Sequence, residues 1–176
     1  MTRAELEHAI RAACDVAQET ELYVFGSQAI LAQFPDAPEE LRQSAEADIV
    51  PKHAVQNTDL INGVLGEDSQ FHRLHGFYVH GIDLTTPTLP TGWEDRAVKV
   101  QNVNTRDFIG WCLEAHDLAA SKLAAFRDRD RDFVRVLLVN KMVAPRKLIT
   151  RIRRLPVDDA TKQRLTLWVD KTVRAG

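Results

Sequence analysis

The stretch between residues 25 and 50 restricts the fold and the chemistry of this chain more than any other. An apolar run ends in Gly26 and Ser27, and a segment with a helical pattern follows at once. Beyond a loop, Glu46 and Asp48 stand two residues apart, where a second apolar run begins. Alternate side chains of a strand point to the same face, so we expect the two carboxylates to lie side by side.

Two neighbouring carboxylates repel each other unless a cation lies between them. Mg²⁺ suits that position because it takes hard oxygen ligands and bridges to phosphate groups. Gly26 and Ser27 suit the phosphate, since small residues at a turn expose backbone N–H groups and a hydroxyl to an anion. Each feature also has a simpler interpretation, in which the Gly-Ser turn is an ordinary helix cap and the acidic pair is a solvated strand edge.

In this order and spacing, the two motifs resemble the nucleotidyltransferase superfamily, whose pattern is Gly-Ser or Gly-Gly followed by Asp-x-Asp. The similarity is greatest to its abortive-infection and toxin branch (AbiEii-like and MenT-type proteins), where an Arg and a Thr or Ser precede the acids. Arg42, Ser44, Glu46 and Asp48 stand at those alternate positions, with Glu46 in place of the usual first Asp. The resemblance implies a polymerase β-like α/β fold, a mixed sheet flanked by helices, with a helical C-terminal part.

The strand predicted at residues 77–84 offers a third carboxylate. Asp83 is on its odd-numbered face, and the superfamily commonly takes a third acid from a strand beside the acidic pair. In the alternative interpretation, Asp83 merely ends the strand and faces water. The spacing of His72, His75 and His80 does not match a ligand set, so we expect these to be surface or hydrogen-bonded histidines.

A second set of matching residues lies on and after an alanine-rich helix, for which Asp117 is the predicted N-cap. The toxin branch has a Lys on such a helix, then an Arg, then an acidic stretch, and Lys122, Arg127 and Asp130 fit that order. A lysine facing the acidic pair would neutralise triphosphate charge, with Asp130 holding it in place. The alternating charges from Arg127 to Asp132 are otherwise typical of a solvated surface.

Length and composition indicate a folded chain with one main core. The 176 residues are 44% hydrophobic, and we expect an α/β core over residues 1–140 followed by a basic helical extension over 141–176. Two cysteines are too few for a disulfide framework or a structural zinc site, which suits a reducing cytoplasm. No apolar run approaches the roughly 20 residues that span a bilayer, so a cytoplasmic location without a membrane partner is expected.

Charge is distributed unevenly along the chain. Residues 1–45 contain eight acidic and three basic side chains, whereas residues 146–176 contain nine basic and three acidic ones. A basic end of this kind can meet a polyanion or can be a solvated helix face. The cations predicted on the outer face of a helix over residues 144–154 are Arg146, Lys147, Arg151, Arg153 and Arg154.

The resemblance implies transfer of a nucleoside monophosphate from a nucleoside triphosphate to a hydroxyl group. Glu46, Asp48 and Asp83 would be the ligands of Mg²⁺ or Mn²⁺, and these acids and Lys122 the catalytic residues. The residues assigned to the nucleotide are Gly26, Ser27, Arg42, Ser44, Lys122 and Asp130. The branch further implies a toxin that acts on an RNA end, such as that of transfer RNA, and has a cognate antitoxin. The second hypothesis is a catalytically silent nucleotide-binding or partner-binding module.

Overall fold

The computed structural model describes residues 1–175. The chain forms two compact units, the first from residues 1–86 and 97–113, and the second from residues 87–96 and from residue 114 onward. The chain therefore leaves the first unit after residue 86, returns to it at residue 97 and leaves it again after residue 113. The division predicted from the sequence falls after residue 140 instead, because it separates the basic C-terminal helices from the rest of the chain.

The elements follow in a mixed order of helices and strands. In the described part of the chain they are α1 (Arg3–Ala17), β1 (Glu21–Phe25), α2 (Glu39–Arg42), β2 (Glu46–Pro51), α3 (Thr58–Leu65), α4 (Gln70–His75), β3 (Tyr78–Gly81), β4 (Val98–Val100), β5 (Ile109–Cys112), α5 (Ala115–Ala125), α6 (Asp128–Val139), α7 (Pro145–Arg153) and α8 (Asp159–Ala175). Short 3₁₀ helices occupy Ser27–Ala32, Val55–Asn57, Glu94–Arg96 and Val103–Thr105.

The first unit is built on a five-stranded mixed sheet in the order β3-β2-β1-β5-β4. The central strand β1 runs antiparallel to β2 and parallel to β5, while β3 runs parallel to β2 and β4 antiparallel to β5. This arrangement confirms the predicted α/β class, a mixed sheet flanked by helices. Its consequence for the site is that the end of β1 and both acidic positions of β2 are neighbours.

Helix α1 covers one face of the sheet. Thr2 and Glu5 form a capping box at its start, and the apolar stripe of the helix is fully buried, including Leu6 and Ile10. A Cβ at Gly110 of β5 would lie 2.5 Å from Ile10 Cδ1, so only glycine allows the helix to approach this closely. Burial of one such leucine or isoleucine side chain contributes about 1.5–3 kcal/mol.

Three features of the first unit differ from the sequence-based expectations. The segment after Gly26 is a 3₁₀ helix rather than an α-helix, and Pro35 limits its length because it lacks an N–H donor. Helix α4 was not predicted. The apolar pattern of residues 55–65 predicts a helix with Leu60 and Val64 facing inward, but each of these side chains is 52% exposed. Only Ile61 and Leu65 of the eight-residue helix α3 are buried, so half of its apolar residues face outward.

The second unit consists of α5 to α8 and the segment 87–96. Its apolar core contains leucines and valines of all four helices, with Leu118, Leu123, Leu137, Leu148 and Leu165 at 0–1% exposure. As the sequence predicts, Pro145 occupies the first turn of α7, where its missing N–H is not needed. Across residues 1–175, no helix has both the length and the apolar character that crossing a bilayer requires.

Two side chains of the second unit have other roles than the sequence suggested. The N-cap of α5 is Glu114, whose carboxylate accepts the N–H groups of His116 and Asp117, so the prediction of Asp117 as the cap is wrong. Asp117 is instead buried and accepts two hydrogen bonds from Arg96, and Arg151 Nε lies 3.0 Å from its Oδ1. Arg151 was expected on the outer face of α7 but is buried, because a buried carboxylate requires cationic partners.

Candidate active site

The turn at the end of β1 lies directly against the second acidic residue of β2. Phe25 and Asp48 are paired across the antiparallel ladder, which brings Gly26 to the Asp48 carboxylate. A Cβ built on Gly26 would lie only 2.1 Å from Asp48 Oδ2. Gly26 also has φ +69° and ψ −172°, a conformation that is essentially restricted to glycine. The structure therefore joins the Gly-Ser turn and the acidic pair at one place.

Strand β2 presents Glu46 and Asp48 on one face, as predicted. Ala47 and Ile49 point the other way and are fully buried, whereas the side chains of Glu46 and Asp48 are 33% and 25% exposed. The backbone N–H of Glu46 donates to Ser44 Oγ at 3.1 Å, so Ser44 fixes the start of the strand. The two carboxylates thus lie half-buried on one face of β2, where a solvated cation can reach them.

The imidazole of His80 lies between these carboxylates. Strand β3 runs parallel to β2 with His80 directly opposite Asp48. His80 Nδ1 lies 2.8 Å from Glu46 Oε1 and 3.2 Å from Asp48 Oδ1. One ligand atom from each of the three residues lies within 4.8 Å of the others, which is compatible with a shared cation.

His80 is the site residue that the sequence reasoning missed. Asp48 and His80 are directly opposed across parallel strands, and opposed residues share a face of the sheet. Val79 and Gly81 are buried on the opposite face, so the even-numbered residues of β3 face the acidic pair. In the sequence, apolar Val79 and Gly81 alternate with polar Tyr78 and His80. This alternation indicates that His80 lies on the polar face of the strand.

Asp83 lies outside this group of three residues. Strand β3 ends at Gly81, and Asp83 Oδ1 accepts the backbone N–H and the hydroxyl of Thr85, both at 2.8 Å. The hydrogen bonds from the Thr85 N–H and hydroxyl lower the pKa of Asp83 below its usual value. Its participation in catalysis stays a prediction.

A shallow pocket of about 240 Å³ adjoins the acidic pair and is lined by Glu46, His80, Tyr78 and four neighbouring residues. Asn62 anchors its wall, because its side-chain amide bonds both the N–H and the carbonyl oxygen of Gly81 at 2.8 and 2.9 Å. Burial raises the pKa of Tyr78, and the nearby Glu46 carboxylate raises it further. The Tyr78 phenol is therefore a neutral hydrogen-bond donor at the edge of the pocket.

The segment before β2 contains the other predicted nucleotide residues of the first unit. The Met1 ammonium group donates to the carbonyl oxygens of Arg42 and Ser44. Among the described residues, Arg42 Nε is buried without a hydrogen-bond partner, and so are both amide atoms of Gln28, just after the Gly-Ser turn. Buried polar atoms normally have hydrogen-bond partners, so these unpaired atoms are exceptions beside the Gly-Ser turn and the acidic pair.

Lys122 and Asp130 belong to the second unit and contact each other. Lys122 Nζ lies 3.4 Å from Asp130 Oδ1 and 4.7 Å from the centre of the Phe133 ring, with 14% of the lysine side chain exposed. Arg127 Nε donates to Asp130 Oδ2 at 2.6 Å. Burial opposes ionisation of Asp130, but the hydrogen bonds and positive charges of Arg127 and Lys122 together outweigh this effect, and the pKa is lowered. Asp130 is therefore an anion that holds Lys122 in a fixed position.

The donor set fits a divalent cation. Two carboxylates on one strand face provide hard oxygen ligands, and the imidazole adds a nitrogen ligand at the same point. Exposure of about a quarter to a third of each carboxylate leaves room for water or phosphate oxygens in the remaining coordination positions. The distances from His80 Nδ1 to the two carboxylates are compatible with a shared cation and also with a hydrogen bond.

Comparison with known proteins agrees with this geometry. The model of one protein family, described as a nucleotidyltransferase of unknown function (DUF6036), matches residues 4–166. Neither the curated proteins nor the solved structures yield a match. The matched residues comprise nearly the whole chain, including the Gly-Ser turn, the acidic pair, Lys122 and Asp130. The chain therefore belongs to the DUF6036 family of nucleotidyltransferases.

Proposed function

We propose that this protein transfers a nucleoside monophosphate from a nucleoside triphosphate to a hydroxyl acceptor, with release of pyrophosphate. The observation that supports this most directly is the contact between Gly26 and Asp48. It unites a turn that can bind phosphate with an acidic pair that can bind a cation. Phosphoryl and nucleotidyl transfer depend on positioning and charge stabilisation, and both can be provided by these elements.

The turn would hold the phosphates. The backbone N–H groups of the turn and the Ser27 hydroxyl would bind phosphate oxygens, and the missing side chain of Gly26 leaves room for the Asp48 carboxylate beside them. Arg42 can supply positive charge, since its buried Nε has no partner within the described chain. Ser44 has a supporting part, because its hydroxyl accepts the Glu46 N–H and so fixes the first carboxylate.

Glu46 and Asp48 would bind the metal, either Mg²⁺ or Mn²⁺. When bound, the cation neutralises triphosphate charge and stabilises the oxygen that leaves with pyrophosphate. The two carboxylates hold their places without it, because β2 is fixed on both sides by β1 and β3. Such fixed ligands reduce the reorganisation required during reaction.

Lys122 would contribute a further positive charge to the triphosphate. Asp130, which also binds Arg127, orients the ammonium group of Lys122. This ion pair restricts the movement of the lysine side chain. A compact ammonium interacts with phosphate as a point charge. Nucleotide titration of a Lys122 variant tests this role.

We further propose that the acceptor is an RNA end, such as that of transfer RNA, and that the protein is the toxin of a toxin–antitoxin pair. Helix α7 and its end expose Arg146, Arg153 and Arg154, which suit a phosphate backbone. Lys147 is exposed too, although its Nζ lies 3.2 Å from Glu114 Oε1. A cognate antitoxin would be the protein partner.

A catalytically silent nucleotide-binding module is the second candidate function. It is favoured by the contacts of Asp83, because its carboxylate accepts hydrogen bonds from Thr85 and does not join the acidic pair. It is favoured also by Glu46 at the position where the superfamily usually has Asp. Such a module would bind nucleoside triphosphate without incorporating it.

The deciding experiment is incorporation of α-labelled nucleotides into total RNA in the presence of Mg²⁺ or Mn²⁺. Each of the four nucleoside triphosphates is supplied separately, and nucleotide binding is measured in parallel by calorimetry. Label that enters RNA supports the transferase. Nucleotide binding without any incorporation, into RNA or into a small-molecule hydroxyl, supports the silent module.

A further inference from the structure

The third ligand atom beside the acidic pair is a nitrogen. In the group of Glu46, Asp48 and His80, the imidazole Nδ1 faces both carboxylates, at 2.8 Å from Glu46 and 3.2 Å from Asp48. Asp83, which could have supplied a third oxygen, bonds to Thr85. Strand β3, the neighbour of β2, therefore contributes an imidazole at the place where an all-oxygen site would have a carboxylate.

The kind of ligand decides which cations a site prefers. Mg²⁺ takes oxygen ligands almost exclusively and gives up its water molecules reluctantly. Imidazole nitrogen suits first-row transition metals, and affinity rises along that series from Mn²⁺ toward Cu²⁺. Replacement of one oxygen ligand by an imidazole thus shifts preference away from Mg²⁺.

We propose that Glu46, Asp48 and His80 form a site for a divalent first-row transition-metal ion, which this chain uses in preference to Mg²⁺. The proposal extends the proposed function by naming the class of its cofactor. Metal binding itself needs neither nucleotide nor acceptor, so the proposal can succeed or fail independently of nucleotidyl transfer.

The distances suit a shared ion. Adjacent ligands of a metal at about 2.1 Å lie roughly 3 Å apart when the angle between them is near 90°. The separations from His80 Nδ1 to the Glu46 and Asp48 oxygens, 2.8 and 3.2 Å, bracket that value. A metal ion could therefore replace the hydrogen bond between the His80 imidazole and the carboxylates, with little movement of β2 or β3.

The simpler interpretation is that His80 is only a hydrogen-bonding partner of two surface carboxylates. Its side chain is 49% exposed, which is common for such histidines. The two interpretations differ in one measurable respect, since only a ligand places its nitrogen in direct contact with the metal. They differ also in the effect of a carboxylate at position 80, which would complete an oxygen site.

The test uses the full chain with the metals alone. Calorimetry gives the Kd for Mn²⁺, Co²⁺ and Mg²⁺, and pulsed electron paramagnetic resonance of the Mn²⁺ complex detects coupling to ¹⁴N. The variants are His80→Asp, which supplies a third carboxylate, and His80→Phe, which removes the donor. His75→Gln is the matched control, because the rings of His8 and His75, 4.6 Å apart, are another place where a transition metal could bind.

We expect ¹⁴N coupling in the wild type and in His75→Gln, and none in His80→Asp. The ratio of Co²⁺ affinity to Mg²⁺ affinity should fall by about 10-fold or more in His80→Asp, and Co²⁺ affinity should also fall in His80→Phe. Wild-type protein without ¹⁴N coupling would overturn the proposal. So would an unchanged affinity ratio in His80→Asp, or ¹⁴N coupling that disappears in His75→Gln.

Discussion

The carboxylate of Asp48 occupies the space where residue 26 would carry a side chain. A Cβ at Gly26 would lie 2.1 Å from Asp48 Oδ2 and 3.0 Å from its Cγ. The acid and the glycine are thus matched to each other across the β1–β2 ladder. Any side chain at position 26 must displace the carboxylate or bend the turn, and either change would separate the phosphate-binding turn from the acidic pair.

Gly26→Ala should therefore abolish metal-dependent activity while the sheet still forms. The added methyl group clashes with the carboxylate, and the backbone conformation at position 26 is strained for any residue with a Cβ. We expect metal affinity to fall by at least about 10-fold and the free energy of unfolding to fall by about 1–3 kcal/mol. Calorimetry with Mn²⁺ and urea unfolding measure these two effects.

Gly76→Ala is the matched control for this substitution. Gly76 also has a positive φ, +75°, but a Cβ there meets no atom within 4 Å. It should cost about 1 kcal/mol from backbone strain and leave metal affinity unchanged. Equal losses of metal affinity in the two variants would show that the contact between Gly26 and Asp48 is not required.

Substitution of Lys122 by methionine should weaken nucleotide binding. Methionine is an unbranched side chain that removes the ammonium charge over the Phe133 ring, and Asp130 retains Arg127 as its partner. Loss of one charge-assisted bond, worth about 1.5–3 kcal/mol, raises the apparent KM for the triphosphate roughly 10- to 100-fold. Lys122→Arg should restore only part of the affinity, because the planar guanidinium does not replace a point charge.

The exposed Lys171 supplies the control for this experiment. Lys171→Met makes the same change of charge on α8 and should leave the KM unaltered. If Lys122→Met and Lys171→Met have the same KM as the wild type, Lys122 has a structural role only.

Glu19 should make the protein more stable at neutral than at acidic pH. Burial opposes its ionisation, but hydrogen bonds from the N–H groups of Thr20, Glu21 and His53 and from the His53 ring together outweigh that effect and lower its pKa from 4.5 to about 2. A carboxylate with a lowered pKa in the folded state stabilises it above the unfolded pKa. This stabilisation is lost as the pH falls from about 4.5 to about 2.

Glu19→Gln isolates this contribution from that of the other acids. At neutral pH the variant should be less stable than the wild type by roughly 2–3 kcal/mol, and near pH 2 the difference should nearly vanish. Urea unfolding of both proteins across this range measures the difference. A difference that does not depend on pH would mean that Glu19 stabilises the fold through contacts other than its charge.

The basic end should bind RNA through Arg146, Arg153 and Arg154. Changing these three residues to glutamate should reduce the dependence of RNA affinity on salt, by about 0.7 in the log–log slope for each phosphate of a single strand that is no longer bound. Arg151 is left intact, because its glutamate variant would bury two carboxylates together at Asp117. Filter binding across a salt series, without nucleotide, gives the slope.

A charge-matched control removes the effect of net charge on this measurement. Arg73, Lys99 and Arg129 are exposed and lie away from α7 in the sequence, and their change to glutamate alters the net charge equally. This variant should keep the wild-type slope. If both triple variants reduce RNA affinity equally, binding reflects net charge rather than a surface on α7.

Local patterns allowed much of the sheet and half of the site to be predicted. Strand alternation alone puts Glu46 and Asp48 on one face, and the Gly-Ser sequence marks the turn at the end of β1. Strand and helix ends differ from prediction by a few residues, as expected where neighbouring strands decide how far pairing extends. Lys122 and Asp130 lie on consecutive helices eight residues apart, and the resemblance to the toxin branch singled them out.

Contacts between segments that are far apart in the sequence could not be predicted from local patterns. His80 joins Asp48 through the register of β2 and β3, which depends on the path of the chain through α3 and α4. Asp83 was assigned to the site because it resembles the third acid of the superfamily, on a strand predicted over residues 77–84, but β3 ends at Gly81. Arg151 looked like a surface cation because a charge pattern does not reveal a buried carboxylate on another helix.

Substitution of Asp48 is the most direct test of the central claim, and Glu46 provides its companion variant. Asp48→Asn keeps the shape of the side chain but removes the charge that binds the cation. Glu46→Asp shortens the first ligand to the form usual in the superfamily, and we expect transfer to be tolerated or increased. Circular dichroism should be the same for both variants and the wild type, because β2 keeps its buried face.

The decisive measurement is incorporation of labelled nucleotide into total RNA by the wild type and Asp48→Asn, at saturating Mn²⁺ or Mg²⁺. We predict incorporation by the wild type and a loss of about 100-fold or more in Asp48→Asn, with an unchanged circular dichroism spectrum. Incorporation by Asp48→Asn at the wild-type rate would contradict the assignment of the acidic pair as the catalytic centre.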